Sequence, residues 1–160
     1  MIKVKPIVGA MLLALAAALP GTPAAAQDVE VPYWASLRVD KVNMRVGPGE
    51  DYRIAWVYRR VDLPVKVLRL KEGWRLVQDP AGVRGWMLAR FLKRERGAIV
   101  QGQGLTEMRD SADAGARLLW KVEPGVIGKL GECVASQCRL TVGAHSGFVP
   151  QDRLWGAGEP

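Results

Sequence analysis

Short runs of alternating apolar and polar residues dominate the chain after Gln27, and helical periodicity is almost absent. Three such runs follow one another at residues 63–70, 74–78 and 83–88. The segments between them, Lys-Glu-Gly at 71–73 and Asp-Pro-Ala-Gly at 79–82, are typical turn sequences. The pattern predicts β-strands joined by tight turns, and therefore an all-β fold.

The strand pattern occurs twice along the chain. A shift of 64 positions superposes identical residues at six places, namely Met44 on Met108, Arg45 on Arg109, Arg53 on Arg117, Trp56 on Trp120, Arg75 on Arg139 and Leu76 on Leu140. The second copy has its own apolar runs at 125–130, 139–142 and 147–149. A period of this length, with one small unit per repeat, predicts two tandem small β-barrels of about five strands each.

The first 26 residues have the composition of a secretory signal peptide, which we expect to be removed. Lys3 and Lys5 precede an apolar run at residues 7–19, and three alanines at 24–26 provide a cleavage site near Ala26. The alternative is a transmembrane anchor, but the run is shorter than the about 20 residues that span a bilayer. We expect an exported, periplasmic chain with no transmembrane segment after cleavage.

Length and charge narrow the classes of partner. Removal of the signal leaves about 134 residues, or two units near 60 residues, and units of that size bury only about 60% of their unfolded surface. We therefore expect the units to pack together or to carry a covalent link. The net charge falls from +7 to about +5, which favours anionic wall polymers, lipid headgroups or acidic proteins. The sequence contains no basic stripe interleaved with aromatic residues, so it does not predict binding to nucleic acid.

The two cysteines, Cys133 and Cys138, are separated by four residues. In an exported protein an even number of cysteines predicts a disulfide, and a hairpin loop of this length would place the two residues opposite each other. A redox or metal-binding pair is the alternative. It lacks the two-residue spacing of redox pairs, and His145 is the only further ligand of that kind.

Residue types that catalysis requires do not form a recognisable set. His145 is the only histidine, so a Ser-His or Cys-His pair would have to use it. Ser146 is its neighbour on a predicted turn, where adjacent side chains rarely face each other. Glu50 and Asp51 lie on a loop, where we expect them to be solvated rather than to chelate a cation. We therefore expect no enzymatic activity, no metal site and no cofactor.

Several segments carry a resemblance to a known family. The opening Asn-Met-Arg-Val-Gly-Pro-Gly at 43–49, the Gly-Trp at 73–74 and the Gly-Trp-Met at 85–87 are similar to a bacterial SH3-like domain. The segments at 56–60 and 147–156 resemble exported tandem-module proteins of alphaproteobacteria. The resemblance implies domains at 33–94 and 97–156, each a partly open five-stranded barrel. The second is degenerate at its opening turn and carries the cysteine pair.

By analogy with eukaryotic SH3 domains, an aromatic-lined groove would take an extended peptide. The candidate groove residues are Tyr52, Tyr58 and Trp74, with Arg59, Arg60 and Arg75 nearby for carboxylates. The alternative is that these aromatic residues only fill the core of a small barrel. We expect Trp56 and Trp86 to be core residues, because both recur as aromatic residues in the second copy.

The function expected from these features is non-catalytic binding in the cell envelope. Many relatives of such domains are fused to wall-cleaving enzymes and bind peptidoglycan, so the expected ligand is peptidoglycan or a wall-associated peptide or protein. The alternative is a structural or assembly scaffold for a periplasmic protein partner. The sequence leaves the oligomeric state open.

Overall fold

The computed structural model of the chain describes residues 29–160, and the predicted signal peptide at 1–26 lies outside them. The described chain consists of strands, turns and two single-turn 3-10 helices, so the all-β prediction is confirmed. In this part of the chain, no helix has the length and apolar character needed to cross a membrane.

The first half of the chain forms one seven-stranded antiparallel sheet. Its strands are β1 (Tyr33–Leu37), β2 (Val42–Arg45), β3 (Ile54–Tyr58), β4 (Pro64–Lys71), β5 (Trp74–Gln78), β6 (Arg84–Leu88) and β7 (Leu92–Lys93), with a 3-10 helix at Ala89–Phe91. Their order is β3-β2-β6-β5-β4-β1-β7. The sheet has seven strands rather than the expected five, because β1 and the two-residue β7 pair beyond β4; β3 forms the opposite edge. We call this sheet and its loops the first unit.

The second half repeats the same arrangement and forms the second unit. Its strands are β8 (Gly97–Val100), β9 (Thr106–Arg109), β10 (Leu118–Val122), β11 (Ile127–Val134), β12 (Gln137–Val142), β13 (His145–Pro150) and β14 (Leu154–Trp155), with a 3-10 helix at Gln151–Arg153. The order β10-β9-β13-β12-β11-β8-β14 matches the first sheet strand for strand. The prediction of two tandem small all-β units is therefore confirmed.

Each sheet encloses its own cluster of buried apolar side chains. Met44 is fully buried in the first unit and Met108 in the second, at the same point of the hairpin. The strand that crosses each methionine carries a glycine there, since a Cβ atom at Gly85 or at Gly147 would lie 2.4 Å from the methionine Cγ. This close approach explains why Gly85 and Gly147 recur at the start of the closing strands.

Strand pairing gives the equivalent residues of the two units directly. Met44 lies opposite Trp56 as Met108 lies opposite Trp120, which confirms the shift of 64 in the hairpins. Val77 lies opposite Gly85, and Leu140 lies opposite Gly147, so Val77 is equivalent to Leu140. The shift between β5 and β12 is therefore 63, one residue smaller than in the hairpins. Arg75 is therefore equivalent to Cys138 and Trp74 to Gln137. The sequence match of Arg75 with Arg139 was wrong by one position.

The predicted disulfide joins Cys133 and Cys138, and the two residues are directly paired across β11 and β12. Their Cα atoms are 4.0 Å apart. The turn itself is only Ala135 and Ser136, both of which have positive φ angles, as a tight two-residue hairpin turn requires. The bridge therefore closes the end of a hairpin that already has the correct register.

The two units are in contact at a junction that includes β1, β4, β8 and β14. Trp34 of β1 meets Trp155 of β14 edge to face, with ring centroids 4.7 Å apart, and its Nε1 donates to the carbonyl of Gly158 at 3.1 Å. Ile99 and Ile127 of the second unit pack against the core of the first. Apolar contact across the junction thus extends the core that each small sheet forms alone.

Polar contacts order the chain where one unit passes into the next. The hydroxyl of Ser36 donates to the carbonyl of Glu95 at 2.6 Å and accepts from the backbone N–H of Gly97 at 2.7 Å. The guanidinium of Arg96 donates to the carbonyls of Gly156 and Gly158 at 2.6 and 2.7 Å. The linker and the C-terminal segment are therefore bound to the body of the protein rather than extended from it.

We predict that Trp34→Ala lowers the free energy of unfolding by about 3 kcal/mol, because it removes a buried aromatic side chain from the junction. Trp34 is 9% exposed, whereas Trp56 is 57% exposed, so Trp56→Ala is the matched control and should cost less than about 0.5 kcal/mol. Urea unfolding followed by circular dichroism measures both. Equal losses in the two variants would show that the junction does not stabilise the fold.

Candidate functional site

The structure separates the aromatic residues that the sequence grouped in one groove. Tyr52 lies on the β2–β3 loop and is 49% exposed. Its ring lies directly against the Gly47-Pro48-Gly49 turn, where a Cβ atom at Gly47 would be 2.3 Å from the tyrosine ring. The glycine therefore makes room for the ring, and the turn presents Tyr52 to solvent in a fixed position.

Tyr58, at the end of β3, contributes to the structure of the first unit. Its hydroxyl donates to Oδ2 of Asp79 at 2.8 Å, and Oδ1 of Asp79 accepts from the backbone N–H groups of Ala81 and Val83 at 3.0 and 2.8 Å. Burial raises the pKa of Tyr58 above the ordinary tyrosine range, and the hydrogen bond and negative charge of Asp79 add to that effect. Tyr58 thereby ties the edge hairpin to the turn at 79–82.

The exposure of two tryptophans is the opposite of what the sequence analysis suggested. Trp74, which we considered as an exposed groove residue, is 9% exposed because it is enclosed beside the β4–β5 turn, paired with Lys71 and Leu88. Trp56, which we expected in the core, is 57% exposed because β3 is an edge strand and its indole extends past the sheet. Trp86, the other expected core residue, is half-buried.

The three candidate arginines do not gather around one site. Arg59 is exposed just after β3, and Arg60 donates from Nη1 to the carbonyl of Gly125 at 3.0 Å, across the junction. Arg75 lies elsewhere, with Nη1 donating to the carbonyls of Glu72 and Trp74, both at 2.9 Å. The predicted groove of three aromatic residues and three arginines is therefore not assembled in this structure.

Exposed aromatic residues remain on the edge hairpins of both units. Trp56 and Tyr52 are exposed in the first unit, and Trp120, which occupies the position of Trp56, is 46% exposed in the second. We call Tyr52, Trp56 and Trp120 the hairpin aromatics. Sequence reasoning missed the exposure of both tryptophans, although their recurrence at one position of a hairpin could have indicated a shared role.

A groove of about 310 Å³ lies beside Trp120 in the second unit. Met108, Val122 and Val142 line it, and the imidazole of His145 contacts the Trp120 indole with ring centroids 4.2 Å apart. Tyr58 stands at the position of Val122 in the first unit, with its hydroxyl 3.9 Å from the sulfur of Met44. The larger side chain of Tyr58 covers the space in the first unit that Val122 leaves open in the second.

The side chains beside the groove make packing and hydrogen-bond contacts. His145 contacts Trp120, whereas its neighbour Ser146 accepts a hydrogen bond from Thr141 at 3.2 Å. Within residues 29–160, no group of three or more histidine, cysteine or acidic side chains is arranged to hold a metal ion. Aromatic faces and guanidinium groups can stack on, or hydrogen-bond to, a ligand.

Comparison with protein families gives two matches in tandem. The model of the family described as bacterial SH3 domain matches residues 38–93 and again residues 103–156. Each match falls within one of the two sheets, and together they cover more than half of the chain. A search of curated proteins finds no match.

Two solved structures align with most of the chain at low similarity. NlpC2 from Trichomonas vaginalis shares 11% identity and NlpC1 from the same organism 12%, each with a TM-score of 0.36. The alignments cover 80% and 81% of this chain but 49% and 48% of those chains, so this chain spans about half their length. Similarity at this level carries no functional argument.

We predict that Tyr58→Phe lowers the free energy of unfolding by about 1 kcal/mol at neutral pH, because Asp79 loses a hydrogen-bond donor. The wild-type protein should also lose stability as the pH rises above about 10, since the unfolded tyrosine ionises there while the folded one, with its raised pKa, stays protonated. That alkaline loss should be smaller in Tyr58→Phe. Urea unfolding at pH 7 and between pH 9 and 11 measures both effects.

The matched control is Tyr52→Phe, because the Tyr52 hydroxyl has no hydrogen-bond partner among residues 29–160. Tyr52→Phe should have the same free energy of unfolding as the wild-type protein at pH 7 and between pH 9 and 11. An alkaline loss of stability that is the same in Tyr58→Phe and in the wild-type protein would contradict the role assigned to Tyr58.

Proposed function

This chain belongs to the bacterial SH3 domain family, and from that membership we propose that it is a non-catalytic binding protein of the bacterial cell envelope. The ligand proposed is peptidoglycan or a wall-associated peptide or protein. The proposal includes export through the inner membrane and a periplasmic location. The disulfide is compatible with such an oxidising compartment.

The observation that carries the proposal is the exposure of the hairpin aromatics. A tryptophan that is half exposed leaves a large apolar area in water, and surfaces of this kind are common where a protein binds a partner. The same position is an exposed tryptophan in both units, Trp56 and Trp120. Neither indole is enclosed in a core, whereas Met44 and Met108, the residues paired with them, are fully buried.

The hairpins also offer a wider apolar surface around these rings. Ile54 and Val57 are 40% and 44% exposed on β3, and Leu118 is 41% exposed on β10. Aromatic side chains bind sugar rings and peptide side chains with little loss of rotamer entropy. This favours a polymer that can contact both hairpins over a ligand enclosed in a single cavity.

We predict that the purified protein co-sediments with isolated cell walls at low salt, and that the double variant Trp56→Ala, Trp120→Ala binds at least about tenfold more weakly. Quantifying the unbound protein across a range of wall concentrations gives the apparent affinity. The control is Leu105→Ala, which removes an apolar side chain of similar exposure, 56%, outside the hairpins. Absence of wild-type depletion would contradict the wall ligand.

A scaffold for a periplasmic protein partner is the second candidate, and the junction favours it. Trp34, Trp155 and Arg60 connect the units, so they would present their surfaces in one fixed relation. A rigid pair of this kind could hold an acidic protein against the first unit, where residues 33–96 contain 15 lysines and arginines but seven acidic residues.

We predict for the scaffold that Arg59→Glu reduces capture of the partner from a periplasmic extract, because it reverses an exposed charge that makes no contact across the junction. Arg60 is unsuitable for this test, since its substitution would disturb the hydrogen bond to Gly125. Lys129→Glu, an exposed charge reversal on the second unit, is the control. Equal capture by both variants and the wild-type protein would remove the basic surface from the proposal.

A further inference from the structure

A pocket of about 200 Å³ opens on the first unit, where β1, the start of β5 and the 3-10 helix meet the linker after β7. Four cationic side chains line it: Arg38, Arg75, Lys93 and Arg94. Tyr33 forms one wall. These residues come from three separate segments of the chain, which only the folded sheet brings together.

Three of the four cations form no ion pair with a carboxylate of residues 29–160. Arg38 donates from Nη2 to the carbonyl of Leu92 at 3.3 Å, and Arg75 donates from Nη1 to two backbone carbonyls. The guanidinium carbon of Arg94 lies 3.7 Å from the centroid of the Tyr33 ring. Carbonyls and an aromatic face thus position the three guanidinium groups but leave their positive charges uncompensated, and each retains free N–H donors.

Lys93 differs from the three arginines because it pairs with carboxylates of the protein. Its Nζ lies 2.6 Å from Oδ1 of Asp62 and 3.6 Å from Oε2 of Glu95. The hydrogen bond to Asp62 raises the pKa of Lys93, more than its partial burial lowers it. Lys93 is therefore paired within the protein, and the field of the pocket comes from the three arginines.

The charge of the whole chain is concentrated on this unit. Residues 33–96 contain 15 lysines and arginines against seven acidic residues, whereas residues 97–160 contain six against seven. In the second unit, Arg109, Arg117 and Arg139 each form an ion pair with a nearby carboxylate. Among the described residues of the first unit, Lys93 alone does so.

The second unit shows that the fold does not require these cations. Strand pairing places Leu37 opposite Leu92 and Val100 opposite Leu154, so Arg38 corresponds to Gln101. By the same register, Arg75, Lys93 and Arg94 correspond to Cys138, Trp155 and Gly156. All four positions are uncharged in the second unit, although the surrounding strands are arranged in the same order.

We propose that the Arg38–Arg75–Arg94 pocket is a binding site for a carboxylate group, and specifically for the terminal carboxylate of a peptide. The planar guanidinium group donates two parallel N–H bonds to a carboxylate, and three such groups converge on this pocket. Its volume of about 200 Å³ is enough for a carboxylate together with the residue that bears it. The Tyr33–Arg94 wall offers a flat surface against the residue that bears the carboxylate.

This site does not depend on the hairpin aromatics, and it can be tested with small molecules alone. A protein that binds a peptide carboxylate here but ignores cell walls would contradict the proposed wall ligand and leave this inference standing. A protein that binds walls through the hairpins but binds no small carboxylate would support the proposed wall ligand and contradict the carboxylate pocket.

The test is a titration of the full mature protein with N-acetyl-Ala-Ala, its C-terminal amide and inorganic phosphate, followed by NMR of the arginine Nε–Hε signals and by calorimetry. We expect saturable binding of the free carboxylate, with shifts of the Arg38, Arg75 and Arg94 signals. The amide should bind at least about tenfold more weakly, because it lacks the charge that the guanidinium groups recognise. Binding should weaken as the salt concentration rises.

Arg38→Gln is the most informative variant, since glutamine stands at the equivalent position of the second unit and is therefore compatible with the fold. Arg38→Gln and Arg75→Gln should each weaken binding of the carboxylate probe about tenfold or more. Arg69→Gln, at an exposed position of β4 outside the pocket, should leave it unchanged. Circular dichroism and thermal unfolding show whether each variant remains folded.

Three results would overturn the proposal. These are equal binding of the carboxylate and the amide, unchanged binding in the folded Arg38→Gln and Arg75→Gln variants, and tighter binding of phosphate than of the carboxylate. The last result would assign the pocket to a phosphate instead.

Discussion

The edge-to-face contact between Trp34 and Trp155 lies at the centre of the junction, and the stability of both units depends on the surfaces that meet there. A sheet of about 60 residues buries too little apolar surface to be secure alone. Ile99 and Ile127 extend the core of the first unit, and Arg96 binds the C-terminal segment over the linker. The junction therefore completes two small cores, and the binding surfaces on the outer strands are free to carry side chains that contribute little to stability.

Duplication makes the two units controls for each other. Where the fold needs a residue, both copies supply it, as in the close approach of Gly85 to Met44 and of Gly147 to Met108. Where the copies differ in chemistry at the same strand position, the difference does not arise from folding. Tyr58 against Val122, and Arg38 against Gln101, are differences of this kind. The first covers a groove in one unit and leaves it open in the other, and the second places a charge at only one of two equivalent strand positions.

Alternation and repetition in the sequence were sufficient to predict two all-β units and the disulfide, because both depend on local spacing. They were not sufficient for Trp56 and Trp74, whose exposure depends on the order of strands in the sheet. Trp56 is exposed because the hairpin ends at a sheet edge, and Trp74 is enclosed where β5 meets β4 and β6. The sequence could not predict the pocket, because Arg38, Arg75 and Arg94 are far apart along the chain. In addition, a one-residue error in the repeat alignment matched Arg75 with an arginine rather than with Cys138.

The uneven distribution of charge has a physical consequence for the first unit. Like charges on a small surface repel one another and oppose the compact state, so unpaired arginines at close range are a cost to the fold. The second unit avoids that cost through ion pairs such as Arg117–Asp110 and Arg139–Glu132. In the first unit, backbone carbonyls and the Tyr33 ring orient Arg38, Arg75 and Arg94 without neutralising them. An anion bound among them would relieve the repulsion, so the arrangement that is unfavourable in the free protein is the one that favours a negatively charged partner. The nearly neutral second unit, held rigidly beside it, adds stability without weakening that field.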